Sequence, residues 1–247
     1  MEKILALKFE LEAKKNKNQA IILKRFFKTA PNQYGAGDIF WGIKVPALRI
    51  IAKKYKDLNL NEVFNLLKDP VHEVRFTAAL ILVGQYEATT NKGLHRKIYQ
   101  FYCKNLDCFN NWDLIDLSAY KILGHYLYNY KSYQERLVIL KDLALSNNMW
   151  RQRAAMVSTF YFIKKGRYQE TFKIADILLN IKEDLLAKAS GWMLREVGKR
   201  VSEKKLCLYL DKNALKMPAI ARLYAIERLD KKTRSRYLLR KIDKKLQ

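Results

Sequence analysis

The chain has 247 residues, 49% of them hydrophobic, and its 48 Lys and Arg against 24 Asp and Glu give a formal net charge of +24. That length allows one large domain or two small ones with a sufficient core, and four Pro and nine Gly are few for an all-β chain. The excess positive charge argues against a merely soluble basic protein and indicates a polyanionic partner, nucleic acid first and an anionic membrane surface second.

The N-terminal sequence MEKILALKFELEAKK (1–15) has acidic residues early and lacks the apolar segment and cleavage site of a secretory signal. No stretch approaches about 18 uninterrupted apolar residues, so we expect no membrane span. An odd number of cysteines without a CxxC pair suits a reducing compartment, and we expect the protein in the cytoplasm. The three cysteines are Cys103, Cys108 and Cys207.

Neither a phosphate-binding loop nor a metal site is apparent in the sequence. YGAGD (34–38) contains only GxG, which is more typical of an ordinary loop. The histidines have no metal-ligand spacing, and we interpret His72, His95 and His125 as structural or surface residues. We therefore expect neither a metal nor a cofactor.

Apolar residues recur at helical spacing along almost the whole chain. VFNLLKD, VRFTAALILVGQY, LVILKDLAL and TFKIADILL each place them at i, i+3 and i+4. No stretch shows the strict alternation of a convincing strand. The sequence predicts an all-α protein with about twelve to fourteen helices of ordinary length.

The predicted helices also repeat. Five stretches begin with polar or cap-like residues and continue into an apolar, Ala-bearing helix, with starts 39, 38, 36 and 33 residues apart. Such a period, with two helices per unit, is typical of a HEAT-like α-solenoid. We predict one domain, 1–247, of antiparallel helix pairs that form a curved slab with a basic concave groove. The inner-helix candidates are 71–82, 110–123, 148–160, 184–194 and 217–229, and their partners include 131–146 and 167–180.

Basic residues occupy nearly equivalent places on four of these candidates: Arg75, Arg153, Lys188 and Arg222. On the concave side they would form a track that matches a phosphate backbone, although each charge can instead be a solvated helix residue. The last segment, DKKTRSRYLLRKIDKK (230–245), adds eight Lys and Arg. It is either a peripheral phosphate contact or a solubilising end cap.

One acidic residue stands out in the candidate helix that contains NWDLID (111–116). Trp112 and Asp116 lie four residues apart and so share a helix face, whereas Asp113 points elsewhere. A buried carboxylate is costly unless it is paired or partly wet. Asp116 therefore caps a group, pairs with an arginine or faces an open groove. Trp112 can equally be a core residue.

Four motifs together resemble the AlkD-type DNA alkylation-repair glycosylases in order and separation. The resemblance extends from about Lys24 to about Leu229, and it implies a HEAT-like helical solenoid and a DNA glycosylase. The motifs are FWGIKVPALR (40–49), NWDLID (111–116), MWRQRAAM (149–156) and SGWMLREVGK (190–199).

The resemblance also implies roles for particular residues. Asp116 matches the catalytic aspartate of the family, Trp112 the aromatic residue beside it, and Trp192 the second tryptophan of the cleft. Arg153 matches the arginine that holds the DNA backbone near the lesion, and Arg195 matches a further basic position.

Three more positions follow from the same resemblance. Lys44 and Pro46 fall in the GIKVP loop, which approaches the duplex in the family. Phe26 falls where relatives can carry a tyrosine, so any hydrogen bond of that hydroxyl is absent here.

The implied chemistry accounts for a single inward-facing acid. Alkylation at N3 or N7 gives a purine a positive charge and makes it a good leaving group, so no general acid is needed. The deoxyribose develops oxocarbenium character, which a carboxylate at Asp116 stabilises while it orients water. The faces of Trp112 and Trp192 add cation–π attraction, on the order of 1–2 kcal/mol. The family does not extrude the base into a pocket as most glycosylases do.

Two other readings of the sequence stay open. The first is a non-catalytic module of the same fold that binds bent, branched or damaged DNA by charge and shape. The second is a HEAT-type scaffold that binds proteins, for which a charge of +24 would be unnecessary. We favour the enzyme, because a pure binder does not need an acid that repels phosphate. The expected partner is duplex DNA with alkylated bases, bound by a monomer that associates with the nucleoid.

Overall fold

A computed structural model of the chain describes residues 2–181 and 183–239. Throughout this part the regular structure is helical, and the only β interaction in it is an isolated bridge between Ile39 and Val71. The chain divides into two units, Met1–Ile122 and Leu123–Gln247. The predicted all-α, solenoid-like fold is confirmed. The single domain, the curvature and the basic groove stay predictions.

The first unit is built around one buried helix. Its elements are α1 (Glu2–Glu12), α2 (Lys17–Phe26), α3 (Val45–Lys54), α4 (Leu60–Leu67), α5 (His72–Glu87), α6 (Lys92–Lys104), a 3₁₀ turn (Leu106–Cys108) and α7 (Trp112–Ser118). Helix α5 packs against α3, α4, α6 and α7. It is buried on nearly every side, as expected for a helix enclosed by others, and its first turn carries charged residues.

Helices of the second unit lie in two rows. They are α8 (His125–Tyr130), α9 (Tyr133–Leu145), α10 (Met149–Lys164), α11 (Gln169–Ile177), α12 (Asp184–Arg200), α13 (Glu203–Asn213), α14 (Ala219–Ala225) and α15 (Lys231–Leu239). One row contains α10, α12 and α14, which pack in succession, while α9 contacts α11 in the other. This alternation is typical of stacked helix pairs.

Helix starts follow ordinary capping chemistry, because short polar side chains bind the unpaired N–H groups of the first turn. Asn59 with Glu62 before α4, and Ser132 with Glu135 before α9, each form a complete capping box. Asn148 accepts the N–H groups of two residues in the first turn of α10. These caps fix where the helices begin.

The five predicted inner helices correspond to α5, α7, α10, α12 and α14. Two of them are shorter than expected. The stretch predicted at 110–123 ends as an α-helix at Ser118, and a π-helical turn, Tyr120–Gly124, follows. The stretch at 217–229 forms only α14, whose N-cap is Pro218.

The basic segment predicted at 230–245 is only partly described. Residues 231–239 form α15, whereas 240–245 lie outside the described residues. Among the helices that are described, none has both the length and the apolar character needed to cross a membrane.

Candidate functional site

The short helix α7 presents Trp112 and Asp116 from one turn to the next. It begins at the buried Asn111, whose side-chain oxygen accepts the N–H of Trp112 at 2.8 Å. Leu114 and Ile115 are fully buried and fasten the helix to the core. Trp112 and Asp116 are half-buried instead. The acid therefore avoids the full solvation cost of a core carboxylate.

Aromatic side chains from the end of α2 support the ring of Trp112. Phe27 stacks on it with centroids 5.3 Å apart and planes at 13°, and Phe26 meets it edge-on at 5.8 Å. Phe27 is buried and also stacks on Phe40, whereas Phe26 is 61% exposed. The structure thus brings two of the predicted site residues, Phe26 and Trp112, into direct contact.

A buried charged cluster lies behind these rings. His72 Nε2 is 2.8 Å from Asp113 Oδ2, and His72 Nδ1 is 3.4 Å from Asp38 Oδ2. Asp38 also pairs with Arg75 at 2.6 Å and accepts a hydrogen bond from Asn111 at 3.0 Å. We call these five residues the His72 cluster.

Ionisation of the His72 cluster follows from its partners. Burial lowers the pKa of His72, but the carboxylates of Asp113 and Asp38 outweigh it and raise that pKa to about 9. Burial raises the pKa of Asp38, yet His72, Arg75 and Asn111 together hold it below its usual value. The imidazole therefore carries a positive charge at neutral pH.

The sequence patterns do not reveal the His72 cluster. They indicate that His72 is a structural or surface residue and that Asp113 lies on a helix face away from Asp116, and they name no partner for Asp113. The two residues are 41 positions apart, and helical periodicity indicates a face but not a tertiary partner. Asp113 of NWDLID is therefore tied to α5 through His72.

A carboxylate of α5 shapes the GIKVP loop. Glu73, only 1% exposed, accepts the backbone N–H groups of Trp41, Gly42 and Ile43 at 3.1, 2.7 and 3.2 Å. Gly42 has φ of +81°, and a Cβ there would lie 2.1 Å from the carbonyl oxygen of Asn16, so only glycine fits.

The loop residues proposed to meet DNA are accessible. Lys44 and Pro46, at the start of α3, are both exposed. Further along α3 and just after it, Arg49, Lys53 and Lys56 are exposed and line an open cavity of about 600 Å³ in the first unit. No sequence pattern distinguishes these last three cations, although Arg49 is the last residue of the FWGIKVPALR motif.

Three of the four basic residues predicted to line a phosphate track are buried instead of facing solvent. Arg75, Arg153 and Arg222 are only 4%, 5% and 4% exposed. Each guanidinium donates hydrogen bonds to backbone carbonyl oxygens. Arg75 donates to Asp69 and Pro70, Arg153 to Leu185, and Arg222 to Ala214.

These contacts correct the expectation of a solvent-facing arginine track. A guanidinium carries five N–H donors, so it can satisfy carbonyls at helix ends and loops when it is enclosed. Arg75, Arg153 and Arg222 do this in the described structure, and only Lys188 of the four is half-exposed. Of the four, the half-exposed Lys188 stays a predicted contact with DNA.

Helix α12 carries Trp192 and Arg195, two further predicted site residues of the second unit. Trp192 is half-buried, with its ring centroid 6.1 Å from that of Phe160. Arg195 forms ion pairs with Glu227 and, at 3.5 Å, with Glu196. The charge of Arg195 is therefore partly compensated within the protein.

The glycine of the SGWMLRE motif has a packing role. A Cβ at Gly191 would lie 2.2 Å from the carbonyl oxygen of Ala221 and 2.6 Å from Cβ of Tyr224. Glycine therefore lets α12 approach α14 closely beside Trp192.

No cluster of three or more His, Cys, Asp or Glu that could hold a metal ion occurs among residues 2–181 and 183–239. Cys103, Cys108 and Cys207 form no disulfide.

Two comparisons with known proteins give matches, one to a family and one to a fold. The sequence profile of a family described as "DNA alkylation repair enzyme" matches residues 7–229. A solved structure described as a predicted DNA alkylation repair enzyme from Enterococcus faecalis is similar, with a TM-score of 0.66 and 16% sequence identity. The match covers 88% of this chain and 98% of that one, and at this identity it shows the fold alone. No curated protein sequence matches significantly.

Proposed function

Because the chain belongs to the family of DNA alkylation repair enzymes, we propose that it is a monofunctional DNA glycosylase that excises positively charged N3- or N7-alkylated purines from duplex DNA. Family membership supports a role in alkylation repair and implies DNA as the partner. The proposed base excision rests on one observation: α7 presents the half-exposed Asp116 one turn after Trp112.

Charge makes this arrangement suitable for the reaction. The net charge of +24 attracts the DNA backbone. The accessible carboxylate of Asp116, on a helix supported by aromatic side chains, instead attracts a cationic sugar and repels phosphate. The carboxylate of Asp116 stabilises the oxocarbenium-like deoxyribose as the bond from C1′ to the base breaks. Water then adds its hydroxyl to C1′ and releases its proton to solvent, and the base leaves neutral.

The ring of Trp112 contributes by packing on the deoxyribose. Phe27 and Phe26 already support it from within the protein, so little ordering is needed when the sugar arrives. Trp192 is proposed as a second aromatic contact because the family resemblance implies one.

Phosphate contacts are proposed at the exposed cations of the first unit rather than at the enclosed arginines. Lys44, Arg49 and Lys53 are accessible at or along α3, with Pro46 beside them. Lys188 and Arg195 remain proposed contacts from the second unit. We propose that the protein acts as a monomer and without a metal, in the compartment that holds the chromosome.

The test is Asp116→Asn, which keeps the shape and removes the charge. Single-turnover release of 7-methylguanine from methylated duplex DNA should fall by about tenfold to a thousandfold, as expected when one transition-state electrostatic contact is lost. Duplex affinity should hold or tighten, because a repulsion with phosphate disappears. Asp142→Asn, at an exposed position of α9, is the matched control, since it removes the same charge and should leave release unchanged.

Two results would replace this proposal. A folded Asp116→Asn protein with wild-type release removes Asp116 from the mechanism. A wild-type protein that binds bent or branched DNA but releases no alkylated base is a binding module of the same fold.

A further inference from the structure

The imidazole of His72 joins three separate elements of the first unit. His72 is the first residue of α5, Asp113 lies in the first turn of α7, and Asp38 lies in the loop before α3. The ring is only 3% exposed and also stacks on Phe40, with centroids 4.7 Å apart. Neither the proposed reaction nor the proposed DNA contacts use this residue.

His72 reaches Trp112 by two routes. Through the bond to Asp113, it holds the residue that directly follows Trp112 in the chain. Through Phe27, whose ring centroid is 4.9 Å from that of His72 and 5.3 Å from that of Trp112, it supports the indole ring itself. The imidazole of His72 therefore constrains both the backbone and the side chain of Trp112.

We propose that His72 is a positioning residue for the proposed glycosylase, which sets the first turn of α7 and the orientation of the Trp112 ring toward the substrate sugar. This inference rests on the proposed function for its effect on excision. The placement of Trp112 by His72 is a property of the protein alone and can be tested without any activity.

The charged groups around His72 explain why a histidine suits this position. Asp113 faces it from α7, Asp38 from the loop before α3, and Arg75 from α5, one turn along. A doubly protonated ring donates from Nε2 to Asp113 and pairs by charge with Asp38, 3.4 Å from Nδ1, whereas a neutral ring loses the charge that attracts both carboxylates. Loss of the proton should therefore loosen the connection between α7 and α5.

Two substitutions separate the contact with Asp113 from the bulk of the ring. In His72→Gln the amide reaches about as far as Nε2, so a neutral hydrogen bond to Asp113 can persist. In His72→Asn the shorter amide reaches only as far as Nδ1, so that bond is lost. His95→Gln is the matched control, because His95 is likewise buried in the first unit and its Nε2 lies 3.1 Å from the carbonyl oxygen of Tyr86.

We expect His72→Asn to lower single-turnover excision at saturating DNA by on the order of 10- to 100-fold, the loss that follows a small misplacement of a reacting group. His72→Gln should recover part of this loss, and His95→Gln should excise at the wild-type rate per folded molecule. Duplex affinity should be unchanged in all three variants. Asp113→Asn should match His72→Asn, and the double variant should lose no more than either single variant, because the pair acts as a unit.

The indole N–H resonance of Trp112, assigned with Trp112→Phe, gives a second readout that needs no activity. Between neutral pH and about pH 10, it should shift in the wild type with a midpoint near the pKa of His72, about 9. The shift should vanish in His72→Asn and persist in His95→Gln.

The two proposals fail in different ways. A wild-type protein that shows the Trp112 shift but releases no base refutes the glycosylase and leaves the positioning of Trp112 intact. If the chemical shift of the Trp112 indole N–H changes neither with pH nor in His72→Asn, the positioning proposal is overturned, whatever the excision rate. Wild-type excision by folded His72→Asn and Asp113→Asn overturns it as well.

Discussion

Phe27 stacks on Trp112 with ring centroids 5.3 Å apart and ring planes at 13°. Phe27 itself is enclosed, only 6% exposed. One face of the indole is therefore covered by the protein, while the half-buried side chain keeps part of its surface accessible. Phe26 adds an edge contact at the margin of this accessible surface and is itself largely exposed.

Phe26→Ala should reduce excision and duplex affinity severalfold. The side chain is 61% exposed, so its removal should change the free energy of unfolding by no more than about 0.5 kcal/mol. Single-turnover release and a fluorescence binding titration measure the two effects. Phe9→Ala on α1, where the side chain is 75% exposed, is the control and should alter neither. Equal behaviour of the two variants would count against a role for Phe26.

Arg222→Met should destabilise the protein by about 1–3 kcal/mol, because the buried carbonyl oxygen of Ala214 loses its donor. The dependence of DNA affinity on salt should not change. Urea unfolding and a salt titration measure these quantities. Arg228→Met, which removes an exposed arginine from the same unit, should leave stability unchanged. A stable Arg222→Met protein with a reduced salt slope would restore Arg222 to the phosphate track.

Arg49→Ala and Lys53→Ala should have the opposite pattern. Both side chains are exposed on α3 beside the open cavity of the first unit. Each substitution should reduce the slope of log affinity against log salt by about one, because one phosphate contact is lost. Stability should be unaffected. Lys141→Ala on α9 removes an equal charge as a control, and a drop in slope for Lys141→Ala as large as for the α3 variants would mean that only total charge matters.

Glu227→Gln should strengthen duplex binding by a few-fold. Glu227 is an exposed ion-pair partner of Arg195, and its loss leaves only Glu196 to compete with phosphate for that guanidinium. The measurement is duplex affinity at two salt concentrations, compared with Asp142→Asn, which removes one acid elsewhere. If both variants tighten binding equally, Arg195 has no particular place in the interface.

The His72 cluster should make stability depend on pH in the alkaline range. The folded-state pKa of His72, about 9, lies above the ordinary value of 6.5, so the stabilisation is complete below pH 6.5 and is lost as pH rises through 9. The full loss corresponds to about 3 kcal/mol. Urea unfolding at pH 6 and pH 9.5 should show it as the difference between wild type and His72→Gln. Parallel stability curves for the two proteins would contradict it.

Local regularities made much of the fold predictable. The helical period located α5, α10 and α12 to within a residue or so at their starts, and spacing alone placed Trp112 and Asp116 on one face. How deeply a side chain is buried, and which distant residue it contacts, were not predictable in this way. Whether Arg153 is enclosed or solvated depends on its distance from the carbonyl of Leu185, 32 residues on. The pairing of His72 with Asp113 is likewise set by the packing of α5 on α7.

The carboxylate of Glu73 accepts the N–H groups of Trp41, Gly42 and Ile43. We therefore expect the loop to open at the same rate as the first turn of α5. Amide protons in an ordinary surface loop exchange with solvent deuterium within seconds or less. We expect these three to exchange only when the first turn of α5 opens, and so to share its protection factor. Lys44 is exposed and directly follows this backbone, so we expect the duplex to meet a preset surface there.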